Sequence, residues 1–189
     1  MLTDTKNYEL LGKCHKTKIR YRIIYGNQPN GTMQISLKKF SCDGFENIGT
    51  IEIKFLFEDP DNENILTSPG NNGTCYLPNN NDGRLAMQLI RCAFKRKILF
   101  ITDANDKYKI ELNKITFKTS PKGGSNNDGW KKNEAKAYFK QLIGDLKRIG
   151  VTHNDLTDED KKFKFPMTND NSSDNIDSEW INSSPYNFN

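Results

Sequence analysis

The sequence predicts an α+β domain: a mostly antiparallel sheet with two main helices packed on one face. Three observations predict it. Ile48 to Phe57 alternates, with Ile51, Ile53, Phe55 and Phe57 separated by Glu52, Lys54 and Leu56, the period of a strand with two different faces. Two later segments carry apolar residues at helical spacing: Leu85, Leu89, Ile90, Cys92, Ala93 and Phe94 in one, Tyr138, Phe139, Leu142, Ile143, Leu146 and Ile149 in the other. The order along the chain is strands, helix, strands, helix, which favours helices gathered on one side of an antiparallel sheet.

Taken in order, Lys18 to Tyr25 alternates basic and apolar residues and reads as a strand with one solvated face. Gln28-Pro29-Asn30-Gly31 is a turn, because Pro fixes φ and Gly accepts φ > 0. Thr32 to Leu37 is a short strand with Met33, Ile35 and Leu37 on one face, and Asp43-Gly44 turns the chain again. Residues 58–74 are polar and Asn-rich and contain Pro60 and Pro69, which predicts a long loop. The first helix follows Tyr76-Leu77-Pro78, with Asn81 or Asp82 as its cap and Lys95-Arg96-Lys97 at its C-terminal end, where cations oppose the dipole. Ile98 to Thr102 is a buried strand, and Tyr108 to Phe117 holds one further strand or two short ones. A second loop spans 120–132. Asn133 caps the last helix and Gly150 ends it.

Composition bounds the rest. The 189 residues suffice for one domain with a real core, but only 34% are hydrophobic. Residues 154–189 hold eight Asp/Glu against three Lys, a net of −5 in a chain of +4, which leaves +9 on residues 1–153. The expected division is an N-terminal extension over 1–19, a domain over 20–152, and an acidic, Asn/Ser-rich tail over 153–189 that is disordered or folds back to screen the basic domain. Cys14, Cys42, Cys75 and Cys92 form no short-spaced pair, and Cys14-His15 is adjacent, so no metal site is expected. The cysteines read as reduced core residues rather than nucleophiles, and with no signal segment or membrane span the expected location is cytoplasmic or nuclear. The four N-x-S/T sequons read as chance in an Asn-rich chain. Basic residues are spread rather than clustered, which argues against nucleic acid as a partner. No phosphate loop or nucleophile-elbow motif occurs.

Several motifs in order resemble one family. Gly26-Asn27-Gln28-Pro29-x-Gly31-x-Met33 is similar to the G-x-Q-P-x-G-x-M that opens the Deltex C-terminal domain. Gly44-Phe45 through Gly49-Thr50-Ile51-x-Ile53, Ser68-Pro69-Gly70, and Tyr76-Leu77-Pro78-x-Asn80-x-x-Gly83-Arg84 resemble its later motifs, as does Leu89 to Lys97 running into Leu99-Phe100. The resemblance spans roughly residues 20–152. It implies a domain that works beside a RING in ubiquitin transfer, binds ADP-ribose or NAD, and presents it for ADP-ribosyl–ubiquitin chemistry. The 19 residues before residue 20 hold one Cys and one His, so no RING is expected there.

The resemblance also implies a nucleotide pocket built from a Ser, the first His of I-H-H-K-T, a residue before G-Y-P-D-P, and a Glu on the last helix. Asn113-x-Ile115-Thr116-Phe117-Lys118-Thr119 matches N-x-I-H-H-K-T, with Thr116 and Phe117 in place of both histidines. Asp128-Gly129-Trp130 falls on the H-G-Y step without the Pro-Asp-Pro, Asp145 on the Glu, and Asp106 on the Ser. By this carry-over Asp145 is the candidate catalytic carboxylate, and Asp106, Thr116, Phe117, Asp128, Gly129 and Trp130 are the candidate ligand-binding set. A His titrates near neutrality and Thr116 does not. Carboxylates at Asp106 and Asp128 beside Asp145 would repel a pyrophosphate. The competing reading makes Thr116 and Phe117 plain sheet residues and Asp145 a solvated helix face.

Two functions follow. The first is a binding or adaptor module of the ubiquitin pathway with an altered ADP-ribose pocket, its partner a ubiquitin-pathway protein or an ADP-ribosylated one. The alternative is an ADP-ribose- or NAD-binding domain that supports ubiquitin transfer with a separate RING component. Ligand binding separates the two.

Overall fold

The computed structural model describes residues 8–13, 20–69, 73–123, 128–162 and 175–182. The expectations for Cys14, His15, Gly70, Asn72 and Asn171 concern residues outside these ranges.

The architecture is mixed α+β, as the alternation and helical periods require. Strands β1 (Tyr8–Lys13) and β2 (Arg20–Tyr25) form an antiparallel pair of their own. The main sheet is built on β3 (Gly31–Lys38) and β4 (Thr50–Asp59). Beyond β4 lie β5 (Asn62–Thr67), paired with its C-terminal end, and β6 (Thr74–Pro78), paired with its N-terminal half. Helix α1 (Asn81–Lys95) follows, then an antiparallel pair β7 (Phe100–Thr102) and β8 (Ile110–Leu112). Helix α2 (Ala135–Arg148), a 3₁₀ turn at His153–Asp155, the short α3 (Asp158–Lys162) and strand β9 (Asn175–Asn182) complete the chain order. β9 runs antiparallel to β3, opposite the β4 side.

The alternation in β4 places Ile51, Ile53, Phe55 and Phe57 in the core, all fully buried. Glu52 is also buried, because Lys38 and Lys54 reach its carboxylate at 3.2 and 3.3 Å. Phe55 sits at the centre of an aromatic cluster. Its ring lies 5.6 Å from Phe94 of α1, 5.0 Å from Phe100 of β7 and 5.8 Å from Phe117, the last nearly parallel.

Some expectations need correction. The loop expected over 58–74 contains β5. Asp59 Oδ1 accepts the N–H groups of Asp61 and Asn62, so the Asn-rich stretch turns tightly and returns as a hairpin strand. The α1 cap is neither Asn81 nor Asp82 but Asn80, whose side chain accepts the Gly83 N–H at 2.8 Å. Asn133 does not cap α2. It adopts φ +72, tolerable for Asn, and Glu134 occupies the N-cap position without a side-chain cap bond. Gly150 does follow α2 in the left-handed conformation, φ +96. Parts of the tail expected to be disordered are in the fold. Arg96 donates to the Asp155 carboxylate at 2.9 Å and Arg91 to that of Asp160 at 3.0 Å, which holds residues 152–162 against α1. β9 joins the sheet.

Gly83 tests the packing at the start of α1. Ala normally stabilises a helix over Gly by about 1 kcal/mol. Here a Cβ would lie 1.9 Å from the Pro78 carbonyl oxygen. Gly83→Ala is therefore expected to destabilise the fold by about 2–3 kcal/mol, read as a lower urea midpoint at unchanged slope.

Candidate functional site

The Ile115–Thr119 segment runs extended from the β8 side toward α2. Ile115 and Phe117 are buried and Thr116 is exposed. Phe117 stacks on Phe55, so by the period of an extended chain Thr116 and Lys118 face the other way. They open on a cleft of about 210 Å³ between this segment and the first half of α2, lined by Thr116, Phe117, Lys118, Glu134, Ala137, Tyr138 and Gln141.

Lys118 is the buried cation of this cleft. Its ammonium donates to the Gly129 carbonyl and to the Glu134 carboxylate, both at 2.8 Å, and lies 5.7 Å from the centre of the Tyr138 ring. A buried ammonium needs such partners, since an uncompensated one costs several kcal/mol. Glu134 also accepts the Lys131 N–H at 3.0 Å, which ties the chain entering α2 to the same carboxylate. The Lys118 hydrogen bond holds the Glu134 carboxyl below its ordinary value. Burial pushes the Tyr138 phenol well above its ordinary value, so it remains a neutral hydroxyl. That hydroxyl reaches the Thr116 carbonyl at 3.5 Å.

The candidate residues divide. Thr116 and Phe117 line the cleft. Gly129 borders it through its carbonyl on Lys118, and a Cβ there would meet the Lys122 carbonyl at 2.0 Å. Trp130 is fully buried behind the cleft. Its Nε1–H donates to the Tyr76 carbonyl at 2.7 Å, and its ring makes edge contacts with Phe45 and Tyr138 at 5.4 and 4.9 Å. Asp128 is exposed and contributes its carbonyl to Thr119 N–H. Asp106 lies in the exposed β7–β8 turn, where its carboxylate accepts the Tyr108 N–H at 2.9 Å. Asp145 is buried farther along α2 and paired with Arg148 at 2.9 Å. None of the three aspartates lines the cleft, so the negative cluster expected from them is not assembled there. The charge in the cleft is the Lys118–Glu134 pair instead.

Sequence reasoning passed over Lys118, Glu134, Tyr138 and Gln141. Lys118 stands in the matched N-x-I-x-x-K-T pattern, and that Lys directly after the buried Phe117 was the available signal. Among the described residues no group of three or more His, Cys, Asp or Glu could hold a metal ion, and no helix is long and apolar enough to cross a membrane. Cys42, Cys75 and Cys92 are buried and free. Burial pushes the thiols of Cys42 and Cys92 up to about 11 and that of Cys75 further.

A model of the Deltex C-terminal domain matches residues 25–151. Human E3 ubiquitin-protein ligase DTX1 is 29% identical over 151 residues, covering 74% of this chain and 24% of the relative. The same-named ligase of Xenopus laevis is 28% identical over 150 residues, covering 74% and 24%. Mouse E3 ubiquitin-protein ligase DTX4 is 25% identical over 158 residues, covering 78% and 25%. The chain spans about a quarter of the length of these curated relatives.

Two measurements test this description. A carboxyl held low in the fold contributes stability that is complete above the ordinary Glu value of 4.5 and is lost as pH falls through the lower folded-state value. Wild type is therefore expected to lose more stability than Glu134→Gln between pH 6 and pH 3, read from urea midpoints. At pH 8 a thiol with its value near 11 is only about 0.1% thiolate. The native chain is expected to hide Cys42, Cys75 and Cys92 from a disulfide-exchange reagent, and denaturant to expose all three.

Proposed function

This chain belongs to the Deltex C-terminal domain family, and on that footing we propose that it acts as a binding module of the ubiquitin pathway whose nucleotide cleft is altered. The supporting observation is the Lys118–Glu134 pair. A pyrophosphate needs cations able to face it, and the Lys118 ammonium is already bonded to a carboxylate and a backbone carbonyl. An anion entering the cleft would meet the Glu134 carboxylate beside that cation. Neither Thr116 nor Phe117 supplies the titratable imidazole that the family pattern places there. Thr116 offers a neutral hydroxyl, and Phe117 has its ring in the core. The partners expected on this reading are a ubiquitin-pathway protein or a protein carrying ADP-ribose.

The competing reading keeps ADP-ribose or NAD as ligand and Asp145 as a reacting carboxylate. Asp145 is paired with Arg148 and does not line the cleft. Isothermal titration of the full chain with ADP-ribose and with NAD separates the two readings. The expected result is no saturable heat below about 1 mM ligand, weaker than roughly −4 kcal/mol. Micromolar affinity for either ligand overturns the altered-cleft reading and favours the second.

A further inference from the structure

The fold sorts the surface of α2 by charge. Its inward side carries Phe139, Leu142 and Leu146, all buried. Lys136, Lys140 and Lys147 are exposed. At 3.6 residues per turn these three fall within about 40° of one another, in a line about 16 Å long. None of the three is in an ion pair among the described residues. The acid on the helix and the one at its entry are committed elsewhere, Asp145 to Arg148 and Glu134 to Lys118. Basic residues that are spread along the sequence are thus gathered on one face without a counter-charge.

Three local choices on this face work against the helix. Lys136 stands in the first turn, which holds no acid, although the dipole there favours an anion. Lys136 and Lys140 are like charges at i,i+4, a destabilising pair. Gly144 lies exposed in the middle of the helix between Lys140 and Lys147, and glycine is the poorest helix former after proline. Its φ is not positive, and a Cβ on it would meet nothing within 4 Å. The packing of this chain therefore does not ask for glycine there. Only Lys147, near the C-terminal end, suits the dipole. Local choices that conflict with the fold mark functional surfaces, and a glycine lets another backbone come close.

We propose that this face of α2 docks an acidic α-helix of a partner protein, whose carboxylates pair with Lys136, Lys140 and Lys147 and whose backbone passes over Gly144. Charge complementarity sets the sign of the occupant. The lysine spacing, four and then seven residues, is the period with which a facing helix presents one side. Gly144 sets the form, because a folded backbone brought close gains packing contacts that a solvated polyanion does not make. The proposal stands whether or not the cleft takes a nucleotide.

The test uses the full chain and a fluorescent, alanine-rich helical peptide of about 20 residues, with glutamates along one side at the lysine spacing. By fluorescence anisotropy wild type is expected to bind it with a Kd of about 100 µM or tighter. The double variant Lys140→Glu/Lys147→Glu is expected to bind about tenfold more weakly or worse, and so is Gly144→Leu, which leaves the charge unchanged. A peptide of the same composition with its glutamates spread around the helix is expected to lose about tenfold as well. No saturable binding by wild type, equal binding of the two peptides, or undiminished binding by Gly144→Leu overturns the proposal. A single-stranded oligonucleotide that binds more tightly than the peptide, and equally well to Gly144→Leu, overturns it in favour of a plain polyanion surface. Urea unfolding gives an independent decision. Gly144→Ala is expected to raise the midpoint at unchanged slope. A lowered midpoint overturns the proposal, because the glycine would then serve the fold itself.

Discussion

The fold depends on the Phe55 ring. Phe55 stands at the middle of β4 and meets α1 through Phe94, β7 through Phe100 and the 115–119 segment through Phe117. Phe57, two residues on, touches Phe94 and Phe100 again. Four parts of the chain that are remote in sequence are located against one another by these rings. Such pairs contribute about 0.5–1.5 kcal/mol each beyond the burial itself, and their geometry is directional, so they fix placement as well as stability. The Phe55–Phe117 contact is stacked, with an interplanar angle of 10°. It holds the segment that forms one wall of the cleft flat on the sheet.

The cleft chemistry follows from that wall. With Phe117 turned inward, Lys118 must project toward α2, where it is buried and has to find acceptors. It finds the Gly129 carbonyl and Glu134. Glu134 accepts in turn from the backbone at Lys131, so one carboxylate neutralises the buried ammonium and fixes the entry to α2. The helix has no side-chain cap and no acid in its first turn. The carboxylate that would ordinarily oppose the helix dipole there is one residue earlier, committed to Lys118. A polar network that is fully satisfied in a low-dielectric place resists change, because removing any member leaves the others orphaned.

Much of this was legible in the sequence, and the reasons differ by element. β4 was legible because a strand with one buried face writes its period into the apolar residues. Both helices were legible for the same reason at a longer period. β5 was not, because the hairpin is set by an Asp59 side chain bonding the backbone, and an Asn-rich strand shows no apolar alternation. Asn80 lost to its neighbours as the expected cap because caps depend on where the first helical turn begins, which single residues do not announce. In the site, Thr116, Phe117 and Lys118 of the family pattern line one wall of the cleft. The pattern could not show that Asp106, Asp128 and Asp145 would be scattered, nor that Lys118 and Glu134, sixteen residues apart, would meet. Long-range ion pairs leave no periodic trace. β9 was missed because its tail has the acidic, low-hydrophobicity composition of disorder, and its pairing uses the backbone.

Several residues of the family signature share one physical task, satisfying polar groups of the scaffold. Gln28 accepts the buried Phe100 N–H at 3.0 Å through its side chain. Asn80 accepts the Gly83 N–H, and Arg84 donates to the Asn79 side chain at 2.8 Å. Asn113 donates to the Ile98 carbonyl at 3.0 Å. Several of these bonds satisfy a backbone group that the fold removes from water, and losing such a partner costs about 1–3 kcal/mol. Thr116 is different. Its side chain is exposed at the cleft, where substitutions usually cost within about 0.5 kcal/mol. Stability therefore constrains the turns and caps more strongly than the exposed Thr116 side chain. Phe117 is the intermediate case. A histidine there would bring an imidazole against the Phe55 ring, and its polar nitrogens would need partners in an apolar cluster, whereas phenylalanine needs none. Position 117 borders the cleft with a ring stacked on Phe55, and phenylalanine brings no titratable nitrogen there. The departure from the family pattern and the packing of this domain are then one fact.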